Sequence, residues 1–196
     1  MTRISTRMIK EIPNILVALR IGLSIFVNLY ILNHFGNMLI PVITVFIIFM
    51  SDFLDGKIAR LYDTTSKFGE VLDVLADLFY IVVSYIVLWT YNILPLWFLF
   101  IILYKFVEFI ITSYLIERSN DKKSIFIFDF LGRGIAVVFY VLPISVYLSF
   151  CFSRSLYLFI VNICITIIPS LVLASTIYRI IQCISGSRKN EINTGG

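Results

Sequence analysis

The segment from Asp52 to Asp77, DFLDGKIARLYDTTSKFGEVLDVLAD, decides how the chain is organised. It joins two strongly apolar runs and carries acidic residues at helical spacings on both sides of a polar turn. Asp52 and Asp55 are three residues apart, so their side chains lie on one face of a helix. Asp73 and Asp77 are four apart, with the same consequence. If the two segments pair antiparallel around the turn, the four carboxylates converge about 12 Å from it.

Four carboxylates at this depth in a membrane require counter-charges. Each unpaired carboxylate costs on the order of 3 kcal/mol to insert, and Arg60 can neutralise only one of them. Two divalent cations would balance the charge, and hard oxygen ligands favour Mg²⁺ or Mn²⁺. Gly56 and Gly69 would let a phosphate approach the backbone, and the fork of Arg60 fits phosphate oxygens. The sequence therefore predicts a two-metal site for phosphoryl transfer.

The spacing of this segment is D-x2-D-G-x2-A-R-x8-G-x3-D-x3-D, and at every defined position it resembles the CDP-alcohol phosphatidyltransferases. The resemblance implies a homodimer that transfers a phosphatidyl group from CDP-diacylglycerol to an acceptor alcohol and releases CMP. It also implies that Asp52, Asp55 and Asp73 hold two divalent cations, Mg²⁺ or Mn²⁺. Asp77 would be a further metal ligand and the general base. The positions implied to bind the CDP-lipid are Gly56, Ala59, Arg60, Gly69 and Asn14.

The opening Pro13-Asn14-x5-Arg20-Ile21 resembles the glycerophosphate-type branch of that family, in which the first helix lies beside the nucleotide. Asn14 is a candidate contact to cytidine, or alternatively a helix cap at the membrane surface. Arg20 is interpreted as a structural partner of a motif carboxylate, and a substrate ligand is the alternative. The opening favours glycerol 3-phosphate as acceptor, while phosphatidylglycerol, inositol phosphate and serine stay open.

Other charged residues within the apolar runs are candidates for binding the acceptor. Arg133 could hold an acceptor phosphate or pair with Asp129. Lys105 could do the same or pair with Glu108, three residues further along its helix. Arg179, near the end of the last apolar run, is interpreted as an anchor that reaches the membrane surface.

Composition and charge distribution predict an all-α, polytopic integral membrane protein. Of the 196 residues, 60% are hydrophobic. Eleven of the sixteen basic residues lie in the termini and two turns, which indicates anionic lipid rather than nucleic acid as partner. By the positive-inside rule, both termini and the acidic site face the cytosol of a multi-pass protein of the cytoplasmic membrane.

An even number of spans satisfies that rule, and six are predicted, preceded by a juxtamembrane helix over Met1–Ile12. The membrane domain would cover residues 1–184, and residues 185–196 would form a disordered cytosolic tail. The predicted spans are residues 14–33, 38–61, 69–91, 95–117, 126–150 and 155–184.

A divalent-cation carrier could use the same four carboxylates and is the competing class of function. A carrier would not need the fixed glycine and alanine spacings of the motif. Its polar residues should also continue across the bilayer, whereas Met38–Met50 is almost wholly apolar. The sequence therefore favours the transferase.

Overall fold

The computed structural model describes the backbone of residues 2–61, 67–120 and 130–194, and the side chains of residues 15–54, 69, 71–113, 132 and 134–181. Within these ranges the chain forms six helices and no strands. In chain order the helices are α1 (Thr2–Asn33), α2 (Leu39–Leu61), α3 (Lys67–Thr90), α4 (Leu96–Asn120), α5 (Phe130–Phe152) and α6 (Arg154–Thr194).

These helices match the predicted spans to within a few residues, apart from the start of α1 and the end of α6. Over the described residues, every helix except α2 contains an apolar segment long enough to cross a membrane. The apolar part of α2 is shorter, Leu39–Leu54, because the charged residues of the motif occupy its last turns. The all-helical, multi-pass architecture is confirmed, and a full crossing by α2 stays a prediction.

The two ends of the chain differ from the sequence-based expectation. No separate juxtamembrane helix precedes Pro13 in the described residues, because α1 is continuous from Thr2. A proline costs a helix one backbone hydrogen bond, which a long helix can tolerate. At the other end, α6 stays helical through Thr194, where a disordered tail was expected from Ser185. Two of the three glycines that suggested disorder lie beyond Thr194.

The helices pack as two groups of three, with α1 against α2 and α3, and α6 against α4 and α5. Contacts of α3 with α4 and α5 join the groups. Buried hydrogen bonds set the direction of α1 relative to α3. Arg20 pairs with Asp77 at 3.1 Å, and Asn28, two turns further along α1, donates to Ser84 at 3.2 Å. Because both partners advance together along their helices, α1 and α3 run parallel.

Tyrosine hydroxyls fix the turns at one end of this bundle. The Tyr147 hydroxyl donates to the carbonyl of Asn37 at 3.0 Å and accepts from the Gly36 N–H at 3.1 Å. Gly36 has φ +96°, a conformation that side chains rarely adopt, so glycine suits this turn. Tyr157 donates to the carbonyl of Ile93 at 2.9 Å, between α3 and α4. These bonds make one end of the bundle rigid, and the motif lies toward the other end.

Candidate active site

The guanidinium group of Arg20 stands at the centre of the acidic site. Its Nη2 lies 2.9 Å from Oδ1 of Asp52, and its Nη1 lies 3.1 Å from Oδ1 of Asp77. The same Nη1 is 4.0 Å from Oδ1 of Asp73. One arginine on α1 therefore joins a carboxylate on α2 to two carboxylates on α3. This agrees with the interpretation of Arg20 as a partner of motif carboxylates.

Helical periodicity explains why these groups meet. Asp73 and Asp77 are one turn apart, so both point from α3 toward α1. Asp52 follows a long apolar stretch of α2, which packs against α1 and carries this carboxylate to the level of Arg20. The arginine side chain is completely buried, while those of Asp52 and Asp73 are each 40% exposed. The carboxylates are thus held by a buried arginine and remain partly accessible to solvent or a ligand.

Of the remaining predicted site residues, the structure describes some with their side chains and others by the backbone alone. Gly69 lies on the first turn of α3 and is half-buried. Lys105 is buried in α4 and is considered below. For the others the backbone is helical, but the side chains lie outside the described residues, so their predicted roles stay predictions: Asn14 on α1; Asp55, Gly56, Ala59 and Arg60 on α2; Arg133 on α5.

The donor set can be tested for its fit to a divalent cation. Over the described side chains, no three acidic, histidine or cysteine groups are grouped closely enough to hold a metal ion by themselves. Asp55, the fourth predicted ligand, is not among those side chains. The chemistry of the set does fit, because three carboxylates share one arginine and keep a formal excess of two negative charges. Hard oxygen ligands with excess negative charge suit Mg²⁺ or Mn²⁺.

Asp52 and Asp77 also line a cavity of about 220 Å³ that reaches from α2 and α3 to α4, α5 and α6. Most of its wall is apolar, formed by side chains such as Ile102, Phe106 and Phe139. The charged side chains that the structure describes in this wall are Asp52 on α2, Asp77 on α3, Lys105 on α4 and Arg179 on α6. The cavity therefore combines a surface for hydrocarbon with an acidic and a basic region.

The basic region is part of a buried polar cluster between α4 and α6. Lys105 pairs with Oε2 of Glu108, as its spacing allowed. Thr176 on α6 donates to the same oxygen at 3.3 Å. Lys105 thus has a structural partner, yet it also forms part of the cavity wall. The pairing does not exclude a second contact, because an ammonium group has three donors.

Arg179 differs most from its sequence-based interpretation. It is only 1% exposed, so it is not a side chain that reaches the membrane surface. Its Nη1 donates to the hydroxyl of Thr112 and lies 3.4 Å from the carbonyl oxygen of Phe109. The guanidinium also stacks on the Phe109 ring, 4.8 Å from its centroid. These contacts orient the guanidinium, and Arg179 lines the cavity.

The sequence contains a pattern of polar residues that predicts where Arg179 packs. Lys105, Glu108 and Thr112 form a polar stripe on one face of α4, at spacings of three and four residues. Thr176 and Arg179 form a similar pair on α6. Two polar stripes in apolar helices indicate that the stripes face each other, since lipid offers no hydrogen-bond partners.

The fold and the site together define a polytopic helical membrane protein with an acidic site on the wall of an apolar cavity. The chain belongs to the CDP-alcohol phosphatidyltransferase family, whose sequence model matches residues 10–172. This match includes the whole motif and Lys105, and it ends before Arg179. The family membership predicted from the motif is confirmed, and with it the class of transferase.

A curated relative is the cardiolipin synthase (CMP-forming) of Streptomyces coelicolor (strain ATCC BAA-471 / A3(2) / M145). It is 35% identical over 106 residues, which are 52% of this chain and 49% of that protein. The chain thus matches about half the length of the relative. No solved structure matches the chain.

Proposed function

We propose that this protein transfers the phosphatidyl group of CDP-diacylglycerol to a hydroxyl of an acceptor alcohol, with release of CMP. The observation that carries the proposal is the position of Asp52 and Asp77, which are joined by Arg20 on the wall of a largely apolar cavity. A charged diphosphate linked to two acyl chains needs both of these surfaces at once. Membership of the family supports the same reaction.

The proposed metal ligands are Asp52, Asp55, Asp73 and Asp77. Two bound divalent cations, Mg²⁺ or Mn²⁺, would supply positive charge to the diphosphate and to the leaving CMP. Arg60 would bind the diphosphate from the end of α2, and Gly56, Ala59 and Gly69 would leave it space. Asn14 would contact the cytosine ring. The apolar wall would bind the upper part of the acyl chains.

Asp77 is the proposed general base. A side-chain oxygen of Asp77 would take the proton from the acceptor hydroxyl. The oxygen of that hydroxyl would attack the phosphorus of the phosphatidyl group, and CMP would leave. Arg20 holds Oδ1 of Asp77 and so fixes the direction of the carboxylate. A carboxylate is a weak base for an alcohol, so alignment of the hydroxyl with the phosphorus must supply much of the rate.

The acceptor that we propose carries a glycerol hydroxyl and a phosphate group. Arg179 and Lys105, which are buried and line the same cavity as Asp77, would bind that phosphate. Arg133 is a further proposed phosphate ligand. Glycerol 3-phosphate is the first candidate, from the resemblance of the Pro13–Ile21 opening.

Phosphatidylglycerol has the same phosphate and glycerol groups and is the second candidate. The name of the Streptomyces relative supports it, since a cardiolipin synthase that forms CMP uses a lipid acceptor. The apolar wall of the cavity also suits a second lipid. The remaining acceptors, inositol phosphate and serine, have no structural observation in their favour.

We further propose that the acidic site faces the cytosol of the cytoplasmic membrane and that the protein is a homodimer. The side follows from the positive-inside rule, because the basic turns flank the motif. A CDP-lipid would then enter from the bilayer, and a soluble acceptor would enter from the cytosol.

Product identification tests the acceptor. Purified protein in detergent is incubated with CDP-diacylglycerol, Mg²⁺ or Mn²⁺, and one acceptor at a time, and the lipids are identified by mass spectrometry. We expect phosphatidylglycerophosphate from glycerol 3-phosphate, or cardiolipin if phosphatidylglycerol is the acceptor. A phosphatidyl lipid formed only with inositol phosphate or serine would refute the proposed acceptor class and leave the reaction intact.

A further inference from the structure

Arg20 brings a fixed positive charge to carboxylates that are also the proposed metal ligands. Its two Nη atoms lie 2.9 Å from Asp52 and 3.1 Å from Asp77, and one of them is 4.0 Å from Asp73. A cation bound by these carboxylates would therefore sit close to the guanidinium. Like charges at such distances repel, even though the carboxylates themselves are partly exposed.

The arginine is enclosed by the protein beside the carboxylates. Its side chain is fully buried, and its helix is bonded to α3 at two levels. Two turns beyond Arg20, Asn28 donates to Ser84 at 3.2 Å and to the carbonyl of Ser24 at 2.8 Å. The Ser24 hydroxyl donates in turn to the carbonyl of Arg20 at 2.7 Å. A guanidinium held in this way stays beside the carboxylates when a cation binds.

We propose that Arg20 lowers the affinity of the acidic site for divalent cations, so that the metals and the CDP-lipid bind together. The inference rests on the proposed metal-dependent function. The four negative charges of the motif carboxylates balance the four positive charges of two divalent cations. Arg20 and Arg60 then add two positive charges that are not balanced. The diphosphate of a CDP-lipid carries two negative charges and restores neutrality. Without the diphosphate, the excess positive charge opposes metal binding.

A purely structural role for Arg20 makes the opposite prediction. If the arginine only orients Asp52 and Asp77, its loss lowers metal affinity by about 10–100-fold, as for other residues that position metal ligands. If its charge opposes metal binding, its neutralisation raises the affinity by about tenfold or more. The sign of the change therefore decides between the two roles.

The experiment measures Mn²⁺ binding to the full-length protein in detergent, without nucleotide, by the electron paramagnetic resonance signal of free Mn²⁺. Arg20→Gln removes the charge and can keep one hydrogen bond to a carboxylate. We expect it to bind Mn²⁺ at least about tenfold more tightly than the wild type. Unchanged or weaker binding by folded Arg20→Gln protein would overturn the proposal.

Ser149→Ala is the control, because it removes a buried polar group from α5, away from the contacts of Arg20, without changing the charge of the site. Its Mn²⁺ affinity should equal that of the wild type. Arg20→Lys retains the charge, so we expect an affinity near that of the wild type. If Arg20→Lys increased the Mn²⁺ affinity as much as Arg20→Gln, the charge of Arg20 would not be what lowers the affinity.

Thermal unfolding with and without Mn²⁺ covers the case in which Arg20→Gln is unstable. Without metal, the melting temperature of the variant should be lower than that of the wild type. Mn²⁺ should raise the melting temperature of the variant more than that of the wild type. An equal or smaller gain contradicts the proposal. Absence of Mn²⁺ binding in the wild type and in Arg20→Gln alike would instead refute the metal site itself, and with it the proposed function.

Discussion

Arg179→Met tests whether the buried charge on α6 binds the acceptor. Methionine is unbranched and apolar, so it can occupy the space of the arginine stem beside Phe109 and remove only the guanidinium. A hydrogen bond from a charged group contributes about 1.5–3 kcal/mol. Since 1.4 kcal/mol corresponds to a factor of ten, the KM for a phosphorylated acceptor should rise about 10- to 100-fold.

The assay is CMP release at varied acceptor and saturating CDP-diacylglycerol, then the reverse. The KM for the CDP-lipid should change little, because Arg179 lies on α6 against α4, whereas the acidic site joins α1, α2 and α3. Arg154→Met is the matched control, as Arg154 begins the same helix and is exposed. An unchanged acceptor KM in folded Arg179→Met protein would refute the reasoning and return Arg179 to a structural role.

Three further predictions concern the acidic site and the contact between α1 and α3. Asp77→Asn should lower the rate of CMP release by about 10²–10⁴-fold, because an amide cannot take the proton, and its melting temperature should stay near that of the wild type. Substantial residual turnover would remove Asp77 from the role of base. Chelation of divalent cations should abolish CMP release, and added Mg²⁺ or Mn²⁺ should restore it; full activity in excess chelator would contradict the metal site. Asn28→Ala should reduce the free energy of unfolding by about 1–3 kcal/mol, because its bond to Ser84 joins two helices. A stability equal to that of the wild type in a denaturation series would show that this bond contributes nothing.

The helices could be predicted closely from the sequence because polar residues mark the ends of the apolar runs. The second apolar run ends where Asp52, Asp55 and Arg60 begin, and α2 ends at Leu61. The spacing of the motif also predicted that carboxylates from α2 and α3 would approach each other. Both results rest on local periodicity, which a sequence displays directly.

The partners of single buried charges were harder to predict, since they depend on how distant helices rotate against one another. Arg179 illustrates this difficulty. Its position near the end of an apolar run suggested a membrane anchor, and only the packing of α6 on α4 brings it to Thr112. Arg20 was easier, because an arginine within an apolar run has few possible partners besides the motif carboxylates.

The terminal helices are longer than expected for a different reason. Pro13 suggested a break and the polar residues after Ser185 suggested disorder, yet both segments are helical. Composition alone does not reveal that a helix already established in the bundle can extend past such residues.

The most direct test of the central claim is CMP release from CDP-diacylglycerol by the wild type and Asp77→Asn. Both are assayed as folded protein in detergent, with Mg²⁺ or Mn²⁺ and with glycerol 3-phosphate or phosphatidylglycerol as acceptor. We predict release that requires the metal, an acceptor and Asp77. Folded wild-type protein that binds Mn²⁺ and releases no CMP with either acceptor would contradict the account and favour a cation carrier.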